Sequence, residues 1–577
     1  MLWKPKLTIL LIWLYLLVLI VLSIVGALNV AFYRDPTLLY TYVPLVAISP
    51  LMYLFLEPQK SKTGLKLIII YIISISLCYH ITLSSQYLNG ADIQVEHYLA
   101  QRILESGFWD PTIPHTYNSA FSVTILTPIL QIVSSLSLIE IFKIAFPLIC
   151  SIIPLILYKM YIKLGYNEKE SFIATFYFIS MFPFYTELLQ IVKQMIAEVI
   201  LALLLYYIIA HSNESNFLKR FRDSSLLVLF MSALVYSHYG TYYTWLSIFL
   251  ISELIIFVLL RRKALLYVII TSFIIHYMHY TYTSGASIII AAATTVRTFI
   301  ENINEMLSPY YAQGVEYVVK PKTFLHQFLT YMYLFTLIFI ALGVLSNIML
   351  MLQLFIRKQA IYQEKKILYH SLTIAAGIFF IITGFSTMSA AVNITRIYHL
   401  ASFILAPSLV DGYKFVGRVI RFVKRESFWI SFLALFLLFN SGYMYEVANK
   451  LGYPEESFSD ALNPFIDRFT PTSQDYYAIL WLKYFSQDNL QVYADIIGKN
   501  NIRAYINLSR IILISPQVNL ICGNVVFIRE NNAFYGFLVR RNIGTMQIRQ
   551  YIKMDVIYNT TEHSLVYSGG SMIGLAC

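Results

Sequence analysis

Gly90-Ala91-Asp92-Ile93-Gln94-Val95-Glu96-His97-Tyr98 is a short polar interval between long apolar runs. Asp92 and Glu96 stand four residues apart. On a helix both carboxylates point the same way. Two acids on one helix face, at a lipid–water boundary, can bind a metal or accept a proton. They are the first candidates for chemistry.

The flanks of this interval decide the class. Residues 65–86 before it are mostly apolar, and the chain as a whole is 58% hydrophobic and only 13% charged. Its mean hydropathy is +0.65. Many runs exceed the roughly 18–20 apolar residues that cross a bilayer core. The pattern predicts a multi-span α-helical membrane protein. The first run, 7–31, is too long for a signal-peptide core and reads as a retained span. The net charge of +11 does not point to nucleic acid. The basic residues cluster in short loops, as they do on the cytoplasmic side of membrane proteins.

Working outward, Lys4 and Lys6 place the N-terminus inside. Spans 7–31 and 38–56 form a hairpin that ends at the basic loop Gln59-Lys60-Ser61-Lys62, and span 65–86 delivers the acidic loop 87–118 to the outer face. Residues 119–136 are apolar but carry Pro128 and many hydroxyls. If they spanned, Lys159, Lys163 and Lys169 would fall outside, so we read them as an interfacial helix followed by the inward span 137–160. Further spans at 171–187, 194–211, 224–237, 242–260 and 264–281 lead to a long outer loop, 282–325. Spans at 327–356, 367–389, 397–413 and 427–445 complete about thirteen, N-terminus in and C-terminus out. Every strong basic cluster then lies inside, including Arg261-Arg262-Lys263, Arg357-Lys358 and Arg418 to Arg425.

Residues 1–445 thus form the transmembrane domain, and 446–577 a smaller extracytoplasmic α/β domain. In the latter, Asp475–Phe485 reads as a helix. Leu490–Asp495, Asn519–Arg529 and Ala533–Arg540 read as strands, the last two joined at Glu530-Asn531-Asn532. Asn507 and Asn559 begin sequons. Cys522 and Cys577 share the polar tail and leave a disulfide open.

The other candidates gather on the outer side. His97 and His115 flank the acidic loop. No close ligand spacing supports a structural zinc site. A loosely held Mg²⁺ or Mn²⁺ on Asp92 and Glu96, shared with a substrate phosphate, suits hard oxygen donors better. Lys193 and Gln194 open an inward span, with Glu187 and Glu198 near. Lys193 either contacts a phosphate or snorkels to headgroups. His238 and Tyr239 make the turn of another hairpin, as site residues or as interfacial belt. His276 and His279, three apart, are either a weak metal pair or interfacial packing. Arg396 lies so close to hydrocarbon that it needs a partner, and its guanidinium suits a lipid-linked phosphate. The loop 282–325 is long enough to act as a lid.

This arrangement resembles the GT-C superfamily of membrane glycosyltransferases, which use polyprenyl-phosphate-linked sugars, and specifically the style of uncharacterised archaeal members. The loop Gly90–Glu96 is similar to the family's catalytic first loop, and Asn118–Pro128 to its interfacial helix. Three features depart from the family. An extra hairpin, 38–56 and 65–86, precedes the acidic loop. The Trp-Trp-Asp-Tyr-Gly motif of oligosaccharyltransferases is absent, and so is the adjacent Asp-Glu pair of protein mannosyltransferases, the acids here being spaced D-x-x-x-E. The resemblance implies transfer of a sugar from a polyprenyl-phosphate donor to a lipid, glycan or protein acceptor at the outer face of the cell membrane. It implies Asp92 as general base, Glu96 as acceptor-orienting group or metal ligand, and Arg396 with Lys193 on the departing phosphate. A non-catalytic subunit of a cell-surface complex is the main alternative. A transporter fits less well, because few charges fall at mid-span.

Overall fold

The protein is described from a computed structural model. It covers residues 5–55, 63–211, 217–261, 264–302, 304, 313, 323–357, 364–386, 393–456, 458–464, 470–485, 490–514, 524–535, 537–543, 548–553, 565–569 and 571–575. The basic loop at 59–62, Cys522, Cys577 and the Asn559 sequon lie outside the described residues.

An unbroken apolar run with no helix breaker folds as helix, since only a helix satisfies its own backbone in lipid. The first such helix, α1 (Pro5–Tyr33), has 29 residues, long enough to cross a bilayer. Leu10, Leu14, Leu17, Val21 and Val25 form an exposed apolar stripe along it, which only a lipid environment tolerates over this length. Then come α2 (Thr37–Phe55) and α3 (Thr63–Thr82).

After α3 the polarity changes. Gly90 has φ +118°, and a Cβ there would sit 2.6 Å from the Gln190 side chain. The chain turns at this glycine into α4 (Ala91–Ser106), which Gly107 ends in the left-handed conformation. The predicted acidic loop is therefore helical where it matters. The following helix, α5 (Ser122–Ser134), is too short to cross a membrane.

The bundle continues through α6 (Leu138–Leu164), α7 (Glu168–Ser180), α8 (Val192–His211), α9 (Phe217–Ser237), α10 (Tyr239–Leu260) and α11 (Leu266–Tyr282). A second segment, Pro183–Gln190, leaves α7 at 57°. The expected loop 282–325 starts as a helix, α12 (Ser287–Glu301), bent 97° from α11. Its Ile, Val and Phe positions recur at helical spacing, a signal hidden among small residues. The last bundle helices are α13 (Phe324–Arg357), α14 (Glu364–Gly384), α15 (Ile394–Val416), α16 (Glu426–Asn440) and α17 (Tyr443–Lys450).

The thirteen predicted spans are not all single membrane-length helices: 171–187 and 427–445 cross bends of 57° and 66°, and the apolar helices under 38–56 and 224–237 are too short to count as spans. By length and composition, seven helices among the described residues can cross a membrane, or up to ten if each of three bent pairs is one span. Away from α4, ion pairs stitch the helix ends: Lys66 to Glu168, Lys169 to Glu426 at 2.9 Å, and Lys414 to Glu170 at 2.7 Å.

The C-terminal part places α18 (Ser473–Phe485) and α19 (Ile496–Ile502) against a five-stranded sheet of order β2-β1-β3-β7-β6. Its strands are β1 (Val492–Ala494), β2 (Ile511–Leu513), β3 (Val525–Ile528), β6 (Leu565–Gly569) and β7 (Ser571–Leu575). The hairpin expected at Glu530-Asn531-Asn532 is not formed. Instead Glu530 opens a short helix, α20 (Glu530–Tyr535), and β4 (Phe537–Ile543) pairs with β5 (Ile548–Lys553) in a separate ribbon. The Asp475 carboxylate accepts from the Glu530 N–H at 2.8 Å, and the Asn532 side chain accepts from the Arg529 N–H at 3.3 Å. These bonds satisfy backbone groups that a hairpin would have paired. The domain meets the bundle beside α4: Lys483 lies 3.8 Å from Glu105, and Asn89 donates to Asp460 at 2.6 Å.

Candidate functional site

Helical spacing puts Asp92 and Glu96 on one face of α4, as expected, but they lead different lives. Glu96 is fully buried. One of its oxygens accepts from the Val192 N–H at 2.7 Å and the other from Lys193 Nζ at 2.7 Å. Asp92 lies one turn nearer the helix start and keeps 27% of its side chain exposed, 3.5 Å from Lys193 and 3.9 Å from Arg396. Lys193, at the start of α8, is itself 1% exposed and lies 3.3 Å over the Tyr117 ring, a cation–π contact in a dry setting.

Six segments meet at Asp92. From α4 come the two acids, from α8 Lys193, and from the start of α15 Arg396. His238 caps α10, accepting from the Thr241 N–H at 3.3 Å, and lies near Asp92, Lys193 and Arg396. Tyr239 is near Lys193. Tyr117, from the stretch before α5, lies near Asp92. Arg503, beyond α19, faces Asp92 and Tyr117 and is held by Asn500 at 3.0 Å.

Burial alone would raise the Asp92 carboxyl, but Lys193 and Arg396, helped by Tyr117 and His238, hold it below its ordinary value. Asp92 therefore stays ionised and part-exposed. His115 stands close to Lys193 and Arg503, and burial with those two cations drops its imidazole to about 4. It is neutral at pH 7. Arg396 is 35% exposed on its side chain, and its Nε is buried with no hydrogen-bond partner among the described residues. Glu187 balances it and is fixed by Thr395 Oγ1 at 2.6 Å and Asn393 Nδ2 at 3.3 Å.

The nominated residues divide accordingly. Asp92, Glu96, Lys193, His238, Tyr239 and Arg396 come together. Gln194 lies behind them, its amide donated to Glu198 at 2.9 Å, and Glu198 also meets His399 Nε2 at 2.9 Å. His97 turns away: it meets the Ala504 carbonyl at 3.4 Å and packs near Phe142 and Tyr505. It joins α4 to the C-terminal domain. His276 and His279 meet separate partners, Tyr243 and the Ser119 carbonyl. Sequence reading missed Tyr117 and Arg503, which sit in no recognisable motif.

A divalent cation on the Asp92–Glu96 pair does not fit this donor set. Both Glu96 oxygens are taken by N–H donors, one of them a cation. Among the described residues no group of three or more His, Cys, Asp or Glu could hold a metal. What the arrangement offers instead is a part-exposed carboxylate beside two guanidinium groups: one group to take a proton, two to hold an anion.

The Gln194–Glu198–His399 chain ties α8 to α15, the helices that carry Lys193 and Arg396. Replacing His399 with Leu leaves a buried carboxylate oxygen without its donor and is expected to cost about 1–3 kcal/mol. His399→Gln, which can still donate, is expected to lose less than half of that. Thermal unfolding in detergent measures both, and equal melting of wild type and His399→Leu would remove this tie from the account.

Comparisons with known proteins add the following. A family model described as "Predicted membrane protein (DUF2206)" matches residues 224–573. No curated protein matches. Two solved structures of the Archaeoglobus fulgidus oligosaccharyltransferase resemble this chain. The apo form is 13% identical over 80% of this chain and 66% of its own, with a TM-score of 0.47. The complex with Zn and sulfate is 14% identical over 77% and 61%, with a TM-score of 0.44. This chain thus spans less than two thirds of the length of either structure.

Proposed function

The chain belongs to the DUF2206 family of predicted membrane proteins, and we propose that it is a glycosyltransferase acting at the α4 end of its bundle, on the extracytoplasmic side. It moves a sugar from a polyprenyl-phosphate donor to a hydroxyl acceptor. The observation that carries this reading is the site itself: an ionised, part-exposed Asp92 flanked by Lys193 and Arg396 from separate helices.

In the step proposed, the acceptor hydroxyl gives its proton to Asp92 and its oxygen attacks the anomeric carbon. The bond from that carbon to the phosphate oxygen breaks, and the electron pair leaves with the lipid phosphate. Arg396, whose Nε has no hydrogen-bond partner among the described residues, and Arg503 meet the charge that develops there. Lys193 is spoken for by Glu96 and Tyr117, so it acts by keeping Asp92 ionised. No step is routed through a metal.

Radiolabelled sugar transfer by the purified protein tests this reading. Asp92→Asn is expected to lower turnover about 10²-fold or more. The sign of the pH dependence follows from the depressed Asp92 carboxyl. A base is active when ionised, so its activity is present above its folded pKa and lost as pH falls through it. That pKa lies below the ordinary value of 3.8, so no acidic limb is expected between pH 5 and 7. A limb near pH 6 would place the base elsewhere. A second reading, a non-catalytic assembly subunit, draws on the mutual neutralisation of Lys193, Glu96 and Asp92. It predicts no transfer with any intact donor and partner capture unchanged by Asp92→Asn.

A further inference from the structure

A polar cavity lies apart from the Asp92 cluster, in the seam between the bundle and the C-terminal domain. Its volume is about 360 Å³, within the range of small-ligand sites. The walls come from four places: the end of α1 with Arg34, the loop Ser84–Asn89 after α3, the stretch Asp460–Pro464, and Thr470–Ser473 with Glu530. Asn89 stands three residues ahead of Asp92, so the cavity opens on the same turn of chain that launches α4.

The lining says what would bind. Its polar groups are mostly neutral hydroxyls and amides, with carboxylates at Asp460 and Glu530 against one guanidinium, Arg34. That balance disfavours an anion. The two acids are not arranged for a cation: Asp460 accepts from Asn89 at 2.6 Å, and Glu530 has Arg34 at 4.0 Å. An apolar ligand would strand the amides. Thr470 Oγ1 is buried with no hydrogen-bond partner among the described residues, and Glu530 Oε2 has no hydrogen bond there beyond its ion pair with Arg34 at 4.0 Å. Buried polar atoms are ordinarily satisfied, so the Thr470 hydroxyl calls for a partner from a guest. Tyr87, stacked on Tyr476 with ring centroids 4.6 Å apart, adds an aromatic wall. Planar amides and carboxylates, an aromatic wall and no net positive field together suit vicinal hydroxyl groups.

We propose that this seam binds a neutral, hydroxyl-rich ligand, a glycan chain, and seats it as the acceptor for transfer. The acceptor role rests on the transferase reading above; the binding does not.

Hydrogen–deuterium exchange of the full chain in lipid nanodiscs tests it. The probe is a pool of neutral hexose and N-acetylhexosamine oligosaccharides. Slower exchange is expected at residues 84–89 and 470–473, and no such change in Thr470→Phe, which fills the cavity. Thr470→Val removes one hydroxyl and is expected to raise half-saturation about tenfold, while Thr470→Ser restores it. Melting curves identify folded variants, and Thr470→Val carries the test if Thr470→Phe does not fold. Absence of protection by the pool, or equal protection in a folded Thr470→Phe, overturns the site. Protection without transfer from any donor keeps the site and removes the acceptor role together with the transferase reading. Transfer with an unchanged acceptor KM in Thr470→Phe removes the acceptor role alone and leaves the transferase reading in place.

Discussion

Glu96→Ala is expected to destabilise the folded protein by about 3–5 kcal/mol, among the largest effects of any single side chain here. Glu96 and Lys193 are both buried, and their oxygen and nitrogen stand 2.7 Å apart. Removing the carboxylate leaves an ammonium in a dry site with one remaining acid, Asp92, at 3.5 Å. It also strips the Val192 N–H of its acceptor. Glu96→Gln keeps an oxygen for Val192 but not the charge, so its loss should fall between wild type and Ala. The double variant Glu96→Gln/Lys193→Met removes both charges and is expected to regain most of the stability. Unfolding in detergent, arranged as a double-mutant cycle, measures the coupling. A loss under about 1 kcal/mol in Glu96→Ala would mean that water reaches Lys193 and that the pair behaves as a surface salt bridge.

This pair also marks how far the sequence could be read. Apolar runs predicted helices well, because a backbone in lipid has almost no alternative to bonding within its own helix. The same reading nominated Asp92, Lys193 and Arg396 from charge placement alone. It could not separate the roles of Asp92 and Glu96. D-x-x-x-E spacing aims two carboxylates one way, but whether a carboxylate is ligand, base or counter-ion depends on what packs against it. Here that is Lys193, from a helix 97 residues further along. Tyr117 and Arg503 were invisible for a related reason: each enters from a stretch with no periodicity or motif, and the fold alone brings it to Asp92. Glu530-Asn531-Asn532 misled in the opposite direction. Its composition favours a turn, and the buried Asp475 carboxylate made it the start of a helix.

Gly412→Ala is expected to disturb the bundle more than any other one-carbon addition, through contact rather than charge. A Cβ on Gly412 of α15 would lie 1.8 Å from the Phe339 carbonyl oxygen of α13, and one on Gly343 of α13 would lie 2.0 Å from the Ser408 carbonyl oxygen of α15. The two backbones touch at both points, the use that membrane helices make of small residues. No side-chain rotation relieves either clash, since both obstacles are backbone. The helices must separate, with a loss of about 1–3 kcal/mol for the methyl group and more for Gly412→Leu. Gly377→Ala is the control: its Cβ would meet only the Val344 side chain, no closer than 3.4 Å, and little change is expected. The consequence reaches the candidate site. Arg396 lies sixteen positions before Gly412 on the same helix, about 24 Å along its axis. Tilting α15 about this contact would swing Arg396 away from Asp92. On the transferase reading proposed above, a folded Gly412→Ala protein is expected to bind a polyprenyl-phosphate donor more weakly while Gly377→Ala binds it as wild type does. Equal melting temperature and donor affinity in both variants would show that the α13–α15 contact neither limits the fold nor sets the position of Arg396.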